Sequence, residues 1–278
     1  MGGLVALGAF ICAVVAERLY YRLAGRTDYD DASAMGSLGV FLISLVMRIA
    51  FTLLLPIGVV LLASEAAPLD IPVAWWSWLA AFLLVELCWY VDHRLQHRVG
   101  LLWAMHHVHH SAERLHMAAA SRAFILDGVL RAELIGLVAL AGFSPAQIIP
   151  IIILSDIFGI FSHSEAIRKL GWLDRWLATP ANHRVHHASN PEYIDRNYGH
   201  VLMLWDRLLG TFEPETLKPR FGVTEPIDTN NPLRIYGGGF VWMRRKLAAC
   251  DTLGQKFECL WRPPEWSPSC SGDTDLAR

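Results

Sequence analysis

The chain has 278 residues, 54% hydrophobic and 18% charged, with a mean hydropathy of +0.33. That is too apolar for an ordinary soluble domain and predicts membrane spans. A formal charge of −2, with no basic tract interleaved with aromatics, excludes a nucleic-acid binder.

Residues 1–37 read as an N-terminal anchor helix and a polar linker. Residues 4–16 are apolar and uncharged, with no basic segment before them and no small-residue cleavage site, which predicts an anchor helix rather than a signal peptide. A second span is expected over 38–63, interrupted by Arg48 and Pro56. A third, over 73–92, opens on Trp75, Trp76 and Trp78 as an interfacial aromatic belt. From Trp76 to His93 is about 25 Å of helix at 1.5 Å per residue, so His93 emerges near the opposite interface. Gly100 breaks the helix. Residues 127–141 and 145–162 predict a helical hairpin turning at Gly142-Phe143-Ser144-Pro145. Thr179-Pro180 reads as N-cap and first residue of a further helix, and residues 216–278 read as a soluble, Pro-rich tail without strong periodicity. The five cysteines, Cys12, Cys88, Cys250, Cys259 and Cys270, are widely spaced and include no Cys-x-x-Cys, so neither a disulfide framework nor a thiolate metal site is expected. Cys12 and Cys88 lie in apolar runs and read as packing residues. The fold class is all-α: an integral membrane helical bundle with a cytosolic helical cap.

Histidines carry the chemistry. His106, His109 and His110 stand at i, i+3 and i+4, one face of a helix, and His183, His186 and His187 repeat that spacing. His93 and His97 add an i, i+4 pair. Imidazole suits Zn, Cu, Fe and Ni, and eight histidines exceed what one metal uses, so a dinuclear site is expected. His163, at the end of the hairpin, is a ninth ligand by its expected height. His107 points about 100° away from its neighbours' face and reads as a surface or phosphate contact. His116 and His200 are weaker candidates.

Outer-shell candidates follow from helical register. Glu86, Tyr90, His93 and His97 form one stripe. Asp156 is seven residues from His163 and is expected to orient a lipid pocket or another helix, the alternative being an ion pair of Asp156 or Glu133 with Arg131. Glu113 continues the stripe of His106, His109 and His110. Loop 64–72 and turn 142–145 contain no Lys or Arg, whereas 17–37, 93–126 and 163–278 contain 3, 4 and 15. The positive-inside rule therefore puts every histidine cluster on the cytosolic side.

These residues resemble the fatty acid hydroxylase/sterol desaturase superfamily of membrane di-iron enzymes. The resemblance rests on His93/His97, His106/His109/His110 and His183/His186/His187, with Asp92-His93-Arg94, Val108-His109-His110-Ser111 and Thr179-Pro180 around them. Asp195-x-Asn197-Tyr198-Gly199 and Trp205-Asp206-Arg207-Leu208-Leu209-Gly210-Thr211 follow downstream. It covers roughly 40–215 and defines a catalytic domain over 38–215. The chain departs from the ceramide and carotene hydroxylases in having Ile167 four residues after His163. It departs from the alkylglycerol monooxygenase branch in having Arg98 where that branch has Glu, and is similar to bacterial sterol desaturase-like members.

The resemblance implies two Fe ions, with Zn able to replace them in purified protein, and O2 as co-substrate. It implies hydroxylation of an unactivated C–H bond of a membrane lipid, with desaturation as the alternative, and adds Asn197 to the outer shell. Electrons are expected from an external ferredoxin or cytochrome b5-like donor. Arg94, Arg98, Arg114, Arg184 and Arg207 form either its docking face or a positive-inside bias. A His-rich metal-binding or transport protein is the reading from another class. Transporters hold ligands near the bilayer midplane, whereas these lie at its edge; a zinc protease would need His-Glu-x-x-His.

Overall fold

The computed structural model describes residues 2–51 and 55–268. Among them lie eleven α-helices and no strand, only two isolated bridges. The chain is a helical membrane protein. Among the described residues, three helices are long and apolar enough to cross a bilayer: Leu4–Leu23, Asp31–Arg48 and Pro145–Ser162.

The apolar run at the N-terminus forms α1 (Gly2–Leu23), and α2 (Asp31–Phe51) follows after a short loop. Both helices extend into the stretch read as a linker, because its charges pair with one another: Arg18 on α1 donates to Asp31 at the start of α2 at 2.6 Å. Cys12, read as packing, is exposed on α1. The stretch 38–63 is split between α2 and α3 (Leu55–Glu65). Pro56 lies at the start of α3, and its side chain is outside the described residues, as is Cys270.

α4 (Trp75–Arg98) is about 36 Å long, but its tryptophans, Glu86 and Asp92 keep it out of the set apolar enough to span. α6 (Val129–Leu140) and α7 (Pro145–Ser162) form the expected hairpin. Val60, Val85, Ile135, Val138, Ile148 and Ile151 from α3, α4, α6 and α7 make the main apolar core. Its turn meets the 64–72 loop: Ile71 N–H donates to Gly142 C=O at 3.0 Å. Gly142 has φ +102°, and a Cβ there would lie 2.7 Å from the Leu69 carbonyl, so glycine is required twice over. The two basic-free connections thus lie together, at the far end of the hairpin from His163.

The break at Gly100 is real. α5 (Gly100–His110) starts where the backbone passes Cys259 C=O too closely for any Cβ. α8 (Pro180–His186) and α9 (Leu204–Leu209) are short. Thr179 precedes Pro180 as expected, but its hydroxyl donates to Asp174 instead of capping the helix.

The segment after 216 is not a structureless tail. It forms α10 (Pro232–Ala248) and α11 (Leu253–Trp261). Asn231 caps α10 at both Leu233 N–H and Arg234 N–H, and Thr252 with Gln255 makes a capping box on α11. α10 lies on α5 through Gly238 and Gly239 and on α2 through Pro232 and Ile235; a Cβ on Gly239 would collide with the Ala104 carbonyl.

Candidate metal centre

Nine histidines converge from four elements: His93 and His97 from the end of α4, four residues apart and one turn above each other; His106, His109 and His110 from α5; His163 from the C-cap of α7; and His183, His186 and His187 from α8 and its cap. They form two groups whose ligand atoms lie within 4.8 Å of one another. One holds His93, His97, His106, His110 and His186; the other His109, His163, His183 and His187. Each His-x-x-His-His motif is therefore divided. Adjacent helical residues diverge by about 100°, so His109 and His110 serve different groups, as do His186 and His187. The groups share a wall, with the His110 and His187 rings stacked at 4.4 Å.

The outer nitrogens fix the tautomers. Nδ1 faces a backbone carbonyl in His93 (Tyr198, 2.9 Å), His109 (Arg122, 3.1 Å), His163 (Gly159, 2.7 Å) and His186 (Arg196, 3.0 Å). A carbonyl only accepts, so each Nδ1 carries the proton and each Nε2 presents a lone pair. His163 Nε2 nevertheless lies 3.2 Å from His109 Nε2, where two acceptors cannot hydrogen-bond. Similar Nε2 contacts join His163 to His183 at 2.9 Å, and His110 to His97 and to His186 at 3.1 Å. His93 and His106 Nε2 are buried without a partner. Converging buried lone pairs repel unless a cation lies between them, so the donor set fits metal ions. Burial pushes His109 and His186 down to about 3, which keeps them in the neutral, ligating form.

The carbonyls that hold these rings have supports of their own. Glu86, buried in α4, accepts from Val201 N–H and Leu202 N–H at 2.9 and 2.8 Å. Asp206 accepts from Tyr198 N–H and Gly199 N–H. Together they clamp the segment that presents Tyr198 C=O to His93. Asp195 and Asn197 have φ of +59° and +58°, a conformation Asx residues tolerate, and the turn between them aims Arg196 C=O at His186. Asn197 secures it by donating to Asn182 C=O and Glu213 C=O. Tyr90 shares a hydrogen bond with the Thr211 hydroxyl at 3.0 Å. Glu86, Tyr90 and Asn197 thus act at one remove, touching none of the nine imidazoles by hydrogen bond.

Two of the expected outer positions lie elsewhere. Glu113 is exposed, because α5 ends at His110 and the Ser111 hydroxyl closes back on Val108 C=O; its stripe does not exist. Asp156 lies 3.9 Å from His200 Nε2, not beside His163. Arg131 pairs with Asp92 at 3.5 Å instead of Asp156 or Glu133.

His107 does face away from the centre, but it is 2% exposed and packs beneath α10, with Trp242 over it, so it is not a surface residue. His116 meets the Ser33 hydroxyl, and His200 stacks on Trp89 at 3.6 Å. Of the five arginines considered for a docking face, Arg184 is buried on Glu215, Arg98 holds Asp195 and Glu265, and Arg114 lies 3.4 Å from Glu165.

Sequence reasoning missed Asp127, whose Oδ2 lies 3.3 Å from His106 Nδ1, and gave no role to Asp195 of the downstream motif, which lies 3.9 Å from His97 Nδ1. Both stand on loops, where helical register gives no stripe to follow. The available signal for Asp127 was an acid just ahead of an apolar helix.

A cavity of about 630 Å³ reaches both groups through His97, His110, His186 and His187. Trp103, Trp242 and Trp266 line it, with Arg245, Lys246, Asp195 and Glu265 among its charged groups.

Fold and site together define a helical membrane protein with a histidine-rich metal site. The fatty acid hydroxylase family model matches residues 78–211, an interval that contains all nine histidines. This match and the relatives below support the fatty acid hydroxylase superfamily for the chain. It is 35% identical to alkylglycerol monooxygenase of Homo sapiens over 202 residues, 72% of this chain and 44% of that protein. The Danio rerio alkylglycerol monooxygenase is 34% identical over 203 residues, 73% and 45%. Ornithine lipid hydroxylase OlsE of Rhizobium tropici is 30% identical over 220 residues, 75% and 64%. The match spans less than half the length of these alkylglycerol monooxygenases. No solved structure matches the chain.

Proposed function

We propose that this chain is an O2-dependent di-iron monooxygenase that hydroxylates an unactivated C–H bond of a membrane lipid. The observation that carries the reading is the convergence of nine imidazoles in groups of five and four, with the Nε2 lone pairs of His93, His109, His163 and His186 turned inward. Similarity to monooxygenases and lipid hydroxylases supports the substrate class.

His93, His97, His106, His110 and His186 would hold one iron, and His109, His163, His183 and His187 the other. Irons held there would supply O2 activation and the oxidising power for C–H cleavage. Overall, one oxygen atom enters the lipid and the other leaves as water, consuming two electrons and two protons. An external donor of the ferredoxin or cytochrome b5 kind would provide the electrons. The protein's part is placement. Backbone carbonyls orient the imidazoles, and Trp103, Trp242 and Trp266 offer an apolar wall against which a chain can lie close to His110 and His186 while water is excluded. The catalytic domain would cover 38–215, with the site on the cytosolic face, as the basic residues of its loops indicate.

The test is lipid mass spectrometry of membranes with and without the iron-loaded protein, using His186→Ala as control. Hydroxylation gives a lipid heavier by one oxygen that the variant does not form. A lipid lighter by two hydrogens would mean desaturation, and no change in any lipid would refute the reading.

A further inference from the structure

α10 has two faces, one buried and one exposed, where among the described residues the only ring contact is that of Phe240 with Phe124 at 4.9 Å. Ile235, Gly238, Gly239 and Met243 are buried, against α2 and α5. The opposite stripe is Leu233, Gly237, Phe240, Val241 and Arg244, at helical spacings of 4, 3, 1 and 3. Leu233 is 70% exposed, Phe240 39% and Val241 43%. Nothing lies within 4 Å of the place a Gly237 Cβ would occupy. A helix facing water on this side would be polar there.

The depth of α10 follows from its neighbour. Its N-terminal half packs on α2 between Gly36 and Val40: a Cβ on Gly36 would lie 3.4 Å from Ile235 Cδ1, one on Gly39 would lie 2.7 Å from Pro232 Cβ, and Val40 and Ile235 share a core cluster. Those α2 residues lie inside the candidate span Asp31–Arg48. The outward stripe of α10 is therefore level with membrane-spanning residues, and Leu42, Leu45 and Val46 of α2 are likewise exposed.

Charge points to the same partner. α10 contains Arg234, Arg244, Arg245 and Lys246 and no acidic residue, in a chain whose formal charge is −2. Cations at the ends of an apolar stripe are the composition of a helix lying in a bilayer interface, with lipid phosphates around its basic residues.

We infer that α10 is an interfacial membrane helix, with Leu233, Phe240 and Val241 against acyl chains and Arg234 and Arg244 among anionic headgroups. The inner side of the same helix supplies Trp242 and Lys246 to the cavity at the histidines, so α10 separates that cavity from the bilayer by one helix diameter. The inference stands apart from the proposed chemistry, since it requires no bound metal.

Photocrosslinking of the full-length protein tests it. p-Benzoylphenylalanine is placed at Phe240, and separately at Leu233, in protein reconstituted into phosphatidylglycerol/phosphatidylethanolamine vesicles. Leu154, 67% exposed on α7, is the acyl-facing reference, and Glu192, exposed outside the long helices, is the water-facing one. Intact-mass analysis should show phospholipid adducts at Phe240 and Leu233 about tenfold above Glu192 and of the order seen at Leu154. Adduct levels at both positions equal to those of Glu192 would overturn the inference. So would crosslinking of both to a second protein chain in native membranes, which would make the stripe a protein-docking face. Two positions guard against a substitution that disturbs the fold at one of them.

Discussion

A buried imidazole that must stay neutral is a liability in acid. Burial lowers His109 and His186 to about 3, and His107 and His116 to about 4, from an ordinary 6.5. With folded values below unfolded ones, the unfolded chain binds more protons between these limits, so stability rises with pH across that window. Metal-free protein in detergent should lose melting temperature as pH falls from about 6.5 towards 4, and bound metal should oppose the loss. Equal melting temperatures at both ends would contradict the burial of these rings. His109→Ala and His186→Ala each remove one inward lone pair, from different groups, so elemental analysis should show metal content falling from about two per chain towards one in either variant. His107→Ala removes no inward nitrogen. It should keep full metal content and lose about 1–3 kcal/mol of stability from the cavity under α10. Asp127→Ala takes away the acceptor at His106 Nδ1, and metal affinity measured by chelator competition should fall about 10–100-fold. An unchanged affinity would mean that His106 is oriented by packing alone.

The elements matter through how closely their backbones approach. α5 carries three of the nine histidines, and it is held at Gly100 by α11 and at Ala104 by Gly239 of α10. Gly239→Ala puts a methyl group into the Ala104 carbonyl. Backbone cannot yield as a flexible side chain does, so the variant should lose about 1–3 kcal/mol or more and release metal at a lower temperature than the parent. Gly237→Ala, two residues away on the open face, is the control and should leave both unchanged. The same logic explains the segment 195–203. It has little regular structure of its own, yet it supplies the carbonyls for His93 and His186, and buried acids on α4 and α9 pin it in place.

At the scale of the whole molecule, the histidines and the hairpin turn lie at opposite ends of the bundle. Loop 64–72 touches the turn at Gly142, while His163 sits at the other end of α7, which is about 27 Å long. A cysteine at Ala66 and one at Glu192, both exposed, should therefore label from opposite sides of a sealed membrane vesicle. Labelling of both by the same impermeant reagent from one side would refute the through-membrane arrangement.

By itself the sequence determined the helical class, the hairpin at 142–145, the break at Gly100 and the grouping of histidines by spacing. Each of these is written in local chemistry: apolar run length, glycine and proline, and the 3.6-residue period. Which histidines share a pocket was decided only by the tertiary structure. A motif read along one helix looks like a single face, but the second pocket takes His109, from the middle of its motif, with His163 twenty residues ahead of His183. Likewise Glu113 was legible as a continued stripe only if α5 ran on, and Ser111 ends it. The carbonyls that orient the imidazoles, the loop acids Asp127 and Asp195, and the packing of α10 over His107 were not legible, because they come from residues distant in the chain. Their positions depend on where loops return and on glycines that let backbones touch, quantities that no local period encodes.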